Sequence, residues 1–259
     1  MWKRRCDGRR VRFSDEAKGA GGMTRALDGR ERSVWMTRRD EQMMEWFAVV
    51  RIADMASVRW VLGALNGWTR PVSLRQAQDW CARMQSVGLV DRLKQGGPGG
   101  SIVWATPAGT GRPVPHLFRQ TTRHEIAVAM TSARYVTGQF AWQYDDDPEW
   151  QYGHQTDGIA FRPGYRGLIE VELTPKRRPR YAKIFDAFQR RLYVGDGTEV
   201  VYLCTEPARV AVVDALQNTP GGRALIGHLR ATTVFDRRGF WAGEQLEWWL
   251  RPRPVGDER

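Results

Sequence analysis

Cysteine is scarce in this 259-residue chain: Cys6, Cys81 and Cys204 make an odd number with no C-x-x-C pair. That excludes a disulfide framework and a cysteine-based zinc site, and it suits a reducing cytoplasm. Long apolar runs are also missing. None approaches the roughly 18–20 residues of a membrane-spanning helix, so no membrane partner is expected. Met1-Trp2-Lys3-Arg4-Arg5-Cys6-Asp7 is basic, but no apolar segment follows it as in a secretory signal. There is no internal repeat, P-loop, dinucleotide fingerprint or nucleophile elbow. His116 and His228 have no neighbours at metal-ligand spacing.

Positive charge, by contrast, is plentiful. The chain carries 40 Lys and Arg against 29 Asp and Glu, a net charge of +11. Such an excess favours polyanionic partners and, for a soluble chain, a nucleoid-associated cytoplasmic protein. Met1 to Arg39 alone holds 12 basic and 5 acidic residues, a balance of +7, which leaves +4 for everything else. Residues 1–36 are rich in Arg, Gly, Asp and Ser without periodicity and read as a disordered basic arm.

Order is expected from Thr37-Arg38-Arg39-Asp40, a candidate helix start, followed by Met43, Trp46, Phe47 and Val50 at helical spacing. Val58, Val61, Leu62 and Leu65 mark a second helix ending at Asn66-Gly67. Ser73 and Gln76 form a capping pair for a third, with Leu74, Ala77, Cys81 and Met84 as its buried stripe. Leu89 to Lys94 and Ser101 to Ala105 flank a Gly/Pro-rich turn and read as a hairpin. Three helices and a hairpin give a winged helix-turn-helix over residues 37–112. The tryptophans Trp46, Trp60, Trp80 and Trp104 are expected in its core.

Residues 113–259 read as a second domain, entered through Pro113-Val114-Pro115. The pattern is a helix from His124 to Val136, strands at Gln139–Tyr144, Thr156–Phe161 and Gly167–Thr174, a helix from Pro179 to about Tyr193, a strand from Glu199 to Cys204 and a helix opened by Pro207. That order makes an α/β sandwich within an α+β whole. Trp248-Trp249-Leu250 could supply a late strand. Asp145-Asp146-Asp147 reads as a solvated loop.

On the third helix, Arg75, Gln76, Asp79, Arg83 and Ser86 lie opposite the apolar stripe. Arg and Gln suit bidentate contacts to guanine and adenine edges in a major groove. Arg92 and Lys94 lie near the hairpin tip, where a wing meets phosphate. Double-stranded DNA is the partner these residues point to; the alternatives are a solvated helix face and a protein-interaction module. In the second domain, Glu170 and Glu172 alternate on one strand face while Ile169, Val171 and Leu173 take the other. Asp157, at the end of the neighbouring strand, is placed to converge with them. Three hard oxygen ligands suit Mg²⁺ and hydrolysis of a phosphodiester. The alternative is a wet strand face paired to Lys176, Arg177 or Arg178.

Helix-β-β-β-helix-β with Asp157 and Glu170-Val171-Glu172 resembles the PD-(D/E)XK nuclease superfamily, a restriction-endonuclease-like α/β sandwich. Thr37 to about Leu216 is similar to the replication-relaxation family of actinobacterial plasmids, phages and mobile elements. The residues carrying that likeness are the winged-helix region, His124, His154-Gln155-Thr156-Asp157-Gly158 and Glu170-Val171-Glu172-Leu173-Thr174. The resemblance implies a DNA-binding protein of replication, relaxation or transcription control, with the second domain serving binding or homodimerisation. The alternative is a metal-dependent endonuclease or nickase. In the latter, Asp157 and Glu170 would hold Mg²⁺, Glu125 would add a ligand, and Glu172 would act as water-positioning base. Glu172 stands where the motif has Lys, as in some restriction endonucleases, and Thr156 stands where it has Pro. Gln189 and Tyr193 resemble the Gln-x-x-x-Tyr pair of RecB-like nucleases.

Overall fold

A computed structural model describes residues 9–12, 33–94, 100–146 and 153–243. The described chain is mixed α/β, with eight helices and three sheets. No helix among these residues is long and apolar enough to cross a membrane.

The first region is a helical core with a small antiparallel sheet. Helix α1 (Arg38–Val50) starts at Thr37, whose side chain and that of Asp40 close a reciprocal capping box. Strand β3 (Ile52–Asp54) leads into α2 (Met55–Leu65), which Asp54 caps through the Ser57 N–H. Ser73 and Gln76 cap α3 (Leu74–Ser86). The hairpin β4 (Val90–Lys94) and β5 (Ser101–Ala105) takes β3 as a third strand in the order β3-β5-β4. Trp46, Trp60, Trp80 and Trp104 are all buried, as their positions in the sequence suggest. Leu74 departs from its expected place in the α3 stripe: at the first helical position it is 49% exposed, and Trp80 takes its place in the core.

The expected disordered arm needs correction at two points. Strand β1 (Arg9–Arg12) pairs antiparallel with β2 (Ser33–Met36), and Val34 and Met36 pack onto the first core. Val34 and Met36 anchor that end, while Trp35 between them is exposed.

The second region is built on a five-stranded sheet in the order β10-β9-β8-β7-β6. Strands β6 (Ala141–Gln143), β7 (Gly158–Arg162) and β8 (Tyr165–Glu172) form an antiparallel meander. Helix α6 (Arg178–Tyr193) then crosses to β9 (Glu199–Thr205), parallel to β8. Helices α7 (Glu206–Asn218) and α8 (Pro220–Ala224) lead to β10 (Leu229–Phe235), parallel to β9 and not anticipated from sequence. Trp248-Trp249-Leu250 lies outside the described residues. Tyr193 is 91% exposed and Gln189 is also exposed, so neither belongs to the core.

A short helix, α4 (Pro107–Thr110), and α5 (Thr122–Thr137) join the two regions. Ala129 and Ala133 of α5 belong to the first core, whereas its Ala127, Met130 and Tyr135 pack under the large sheet. Trp46 donates to Ser132 on α5 (2.9 Å), and the buried Arg134 guanidinium stacks between Trp60 (4.4 Å) and Trp241 (4.9 Å). Helix α5 is thus common to both cores and fixes one region to the other.

Candidate functional site

The carboxyl end of β8 carries the densest chemistry. Strand alternation puts Leu168, Glu170 and Glu172 on the α6 side, while Ile169 and Val171 join the core beneath α5. The β7–β8 register pairs Gly158 with Ile169, which brings Asp157 level with this end of β8. Asp157 Oδ2 accepts from the Val171 N–H at 2.7 Å. Gly158 is required beside it, because a Cβ there would collide with the Trp142 ring.

Each of the three carboxylates has its own basic partner. His124, on the first turn of α5, places Nε2 2.8 Å from Asp157 Oδ1. His154 places Nε2 2.9 Å from Glu170 Oε1 and sets its ring edge-on to Phe188 of α6. Lys176 lies beyond the end of β8, yet its Nζ reaches back to Glu172. The Lys176 N–H also donates to Tyr181 OH at 3.1 Å, which fixes the turn that makes this reach feasible.

Burial pushes the Glu170 and Glu172 carboxyls above their usual range; His154 and Lys176 respectively oppose that rise without cancelling it. For the histidines, burial alone would lower the pKa. The hydrogen bond to Asp157 and the charges of Asp157 and Glu170 outweigh it at His124. The charges of Glu170 and Asp157 and the bond to Glu170 do the same at His154, so both imidazoles are raised. The geometry ties each of the three acids to one partner side chain: Asp157 to His124, Glu170 to His154 and Glu172 to Lys176.

The expected Mg²⁺ ligands are therefore assembled only in part. Asp157 and Glu170 converge, but Glu125 accepts from Thr121 on its own helix (3.2 Å). Among the described residues no group of three or more His, Cys, Asp or Glu is arranged to hold a metal ion. Mg²⁺ binds through one or two carboxylates and keeps several waters. The two carboxylates here are each engaged by an imidazole, so the donor set as folded does not fit that ion.

Sequence reasoning missed one residue that shapes this site. Asp145 is fully buried, not solvated. It takes two bonds from the equally buried Arg191, at 2.6 and 3.2 Å, and accepts from the Thr156 N–H at 2.6 Å. Since Thr156 precedes Asp157, this brace sets the loop that presents Asp157. Asp146 is exposed, as expected, and Asp147 lies outside the described residues. His154 was legible only as part of a run of residues around Asp157.

On α3, Arg75 and Asp79 are exposed and form a loose pair (3.8 Å). Gln76 is exposed but its Oε1 accepts from the Ser73 N–H (3.0 Å) as part of the cap. Arg83 corrects an expectation: its Nη2 lies 2.5 Å from buried Asp40 Oδ1, which ties it to α1 instead of leaving it free for a ligand. Ser86 bonds back to the Arg83 carbonyl. On the hairpin, Lys94 is exposed, whereas Arg92 is half-buried and close enough to act on the Cys81 thiol. Burial pushes that thiol up to about 12, which leaves it unreactive at neutral pH.

No family model matches this chain, and no curated protein or solved structure matches it.

Proposed function

We propose that this chain binds double-stranded DNA through a winged-helix unit, with α3 in the major groove and the β4–β5 hairpin as the wing, in a protein of plasmid, phage or mobile-element type. The larger sheet would be a nuclease-like unit of the replication-relaxation kind, kept for binding or self-association and not for cutting. The observation that carries the proposal is the outer face of α3. Arg75 has 89% of its side chain exposed, and its pairing with Asp79 is too exposed and long to hold it. Its guanidinium is free to form the bidentate contacts that read guanine. The +11 net charge supports the same partner. The engaged carboxylates support binding over cleavage, because each acid that would hold a metal ion is already bonded to His124, His154 or Lys176.

The test uses a DNA site selected from random duplexes. Arg75→Ala should weaken binding to that site by about 1–3 kcal/mol and affect random DNA less. Equal affinity of Arg75→Ala and wild type for the selected site would remove α3 as the reading element. Nicking of supercoiled plasmid with Mg²⁺ or Mn²⁺ that disappears in Asp157→Ala and Glu170→Ala would replace binding by cleavage as the role of the second region.

A further inference from the structure

We infer that the mouth of the β8 acid site is a second contact surface for the DNA sugar–phosphate backbone, separate from α3 and the hairpin. The inference rests on the DNA-binding proposal above and adds where the second region touches the same duplex.

Two banks of cations border the site. On one side, the turn after β8 and the start of α6 carry Arg177, Arg180 and Lys183, all exposed. Their neighbours are spoken for: Lys176 pairs with Glu172, and Arg178 pairs with Asp214 of α7 at 2.8 Å. On the other side, Arg123 immediately precedes His124, and its Nη2 donates to the Arg237 carbonyl at 2.7 Å. That bond brings the turn carrying Arg237 and Arg238 beside the start of α5. Gly239 in this turn, at φ 80°, lies so close to Arg123 and Leu173 that a Cβ would collide with the guanidinium. Leu173 directly follows Glu172, so this second bank also borders the end of β8. Asp236 spends its carboxylate on the Arg238 and Phe240 N–H groups of its own turn, at 2.8 and 2.9 Å.

None of Arg123, Arg177, Arg180, Lys183, Arg237 and Arg238 has an ion pair among the described residues, although three carboxylates lie between the banks. Those carboxylates are answered from within by His124, His154 and Lys176. The rim cations are exposed and without ion pairs, whereas each acid beneath them is already bonded to a side chain of the site. Exposed guanidinium groups on both sides of these engaged acids are complementary to a phosphate chain lying across the mouth.

The experiment measures affinity of the full chain for a random-sequence duplex between about 50 and 200 mM salt. Three variants are compared with wild type: Arg177→Gln/Arg180→Gln, Arg237→Gln/Arg238→Gln, and all four together. These side chains are exposed, so each variant should melt as wild type does. Every phosphate that a cation neutralises adds about 0.9 to the slope of log affinity against log salt. Each double variant should therefore flatten that slope by about 1–2, and the fourfold variant by about 3–4. An unchanged slope in the fourfold variant, with Arg75→Ala still weakening the selected site, overturns this second surface and leaves the α3 proposal standing. A wild-type protein that binds no duplex at any salt overturns both.

Discussion

Both regions bury carboxylates, and they use them in opposite ways. In the first, Asp40 closes the α1 capping box, accepts from Trp80 Nε1 at 2.8 Å and holds Arg83 at 2.5 Å. Asp54 likewise spends its oxygen on the Ser57 N–H and hydroxyl. These acids are filled by the scaffold they stabilise and lie far apart in function. In the second region, Glu170 and Glu172 share one strand face, and Asp157 meets them from the next strand. Their partners are supplied from α5, from the 153–157 segment and from the turn after β8. Burial acts on Asp40, Asp54, Glu170 and Glu172. At Asp40 the donors outweigh it and the pKa is lowered, whereas at Glu170 and Glu172 burial prevails and the pKa is raised. The lesson is one of geometry. An acid satisfied by donors of its own scaffold is a structural joint; acids gathered at a strand end with one basic partner each form a candidate site. Asp54, raised by burial despite its Ser57 bonds, shows that the direction of a pKa alone does not make the distinction.

By that criterion Asp145 belongs with Asp40, although it stands in the second region, and breaking it is the hardest test. Asp145→Ala removes one of the two carboxylates that hold the Arg191 guanidinium, which has no exposed surface, and leaves Asp196 at 2.7 Å. Removing one side of such a buried pair costs about 3–5 kcal/mol. Urea unfolding should show that loss, and a cost below about 1 kcal/mol would mean the pair is not the brace described here. Asp40→Asn should cost less, about 1–3 kcal/mol, since it weakens the cap and the bonds to Trp80 and Arg83.

This second loss has a pH signature. Burial raises the Asp40 pKa, but Arg83, Thr37 and Trp80 together bring it below 3.8. A depressed folded-state pKa contributes stability that is full above the unfolded value and fades as pH falls through the folded one. Wild type and Asp40→Asn should differ most at neutral pH, and the gap should narrow below pH 3.8. A gap that stays constant into acid would show that the charge of Asp40 contributes nothing.

The same comparison explains what the sequence revealed. Local patterns were legible: Thr37 with Asp40 and Ser73 with Gln76 cap as expected, because a capping box spans only four residues. The shared face of Glu170 and Glu172 follows from the two-residue period of a strand, and the short turn at Pro163-Gly164 sets the register that delivers Asp157. What failed were contacts made over long sequence separations. Asp145 looked like one of three surface acids because its partner Arg191 is 46 residues away. Arg83 looked free because Asp40 precedes it by 43 residues. Strand β3 has three residues and no alternation to detect, so only its pairing with β5 defines it. The dual role of α5 was hidden for a similar reason: a helix buried on two sides has no single apolar stripe.

The smallest expected effect separates a site whose acids are engaged by its own side chains from a metal centre. An ion bound at about 100 times its Kd stabilises a folded protein by about 2.7 kcal/mol, enough to raise melting by several degrees. To reach Asp157 and Glu170 here, Mg²⁺ would have to displace His124 and His154, whose Nε2 atoms lie 2.8 and 2.9 Å from those carboxylates. Adding Mg²⁺ or Mn²⁺ should therefore leave the melting temperature unchanged, and chelation should leave duplex affinity at fixed ionic strength as it was. Asp157→Ala and Glu170→Ala are the discriminating controls, because they remove the carboxylates while leaving nonspecific surface sites in place. A metal-dependent rise in melting that both variants abolish would turn these two acids from ion-pair partners into ligands. The contrast between the regions would then lie between a scaffold that fills its own acids and a site that exchanges protons for a metal.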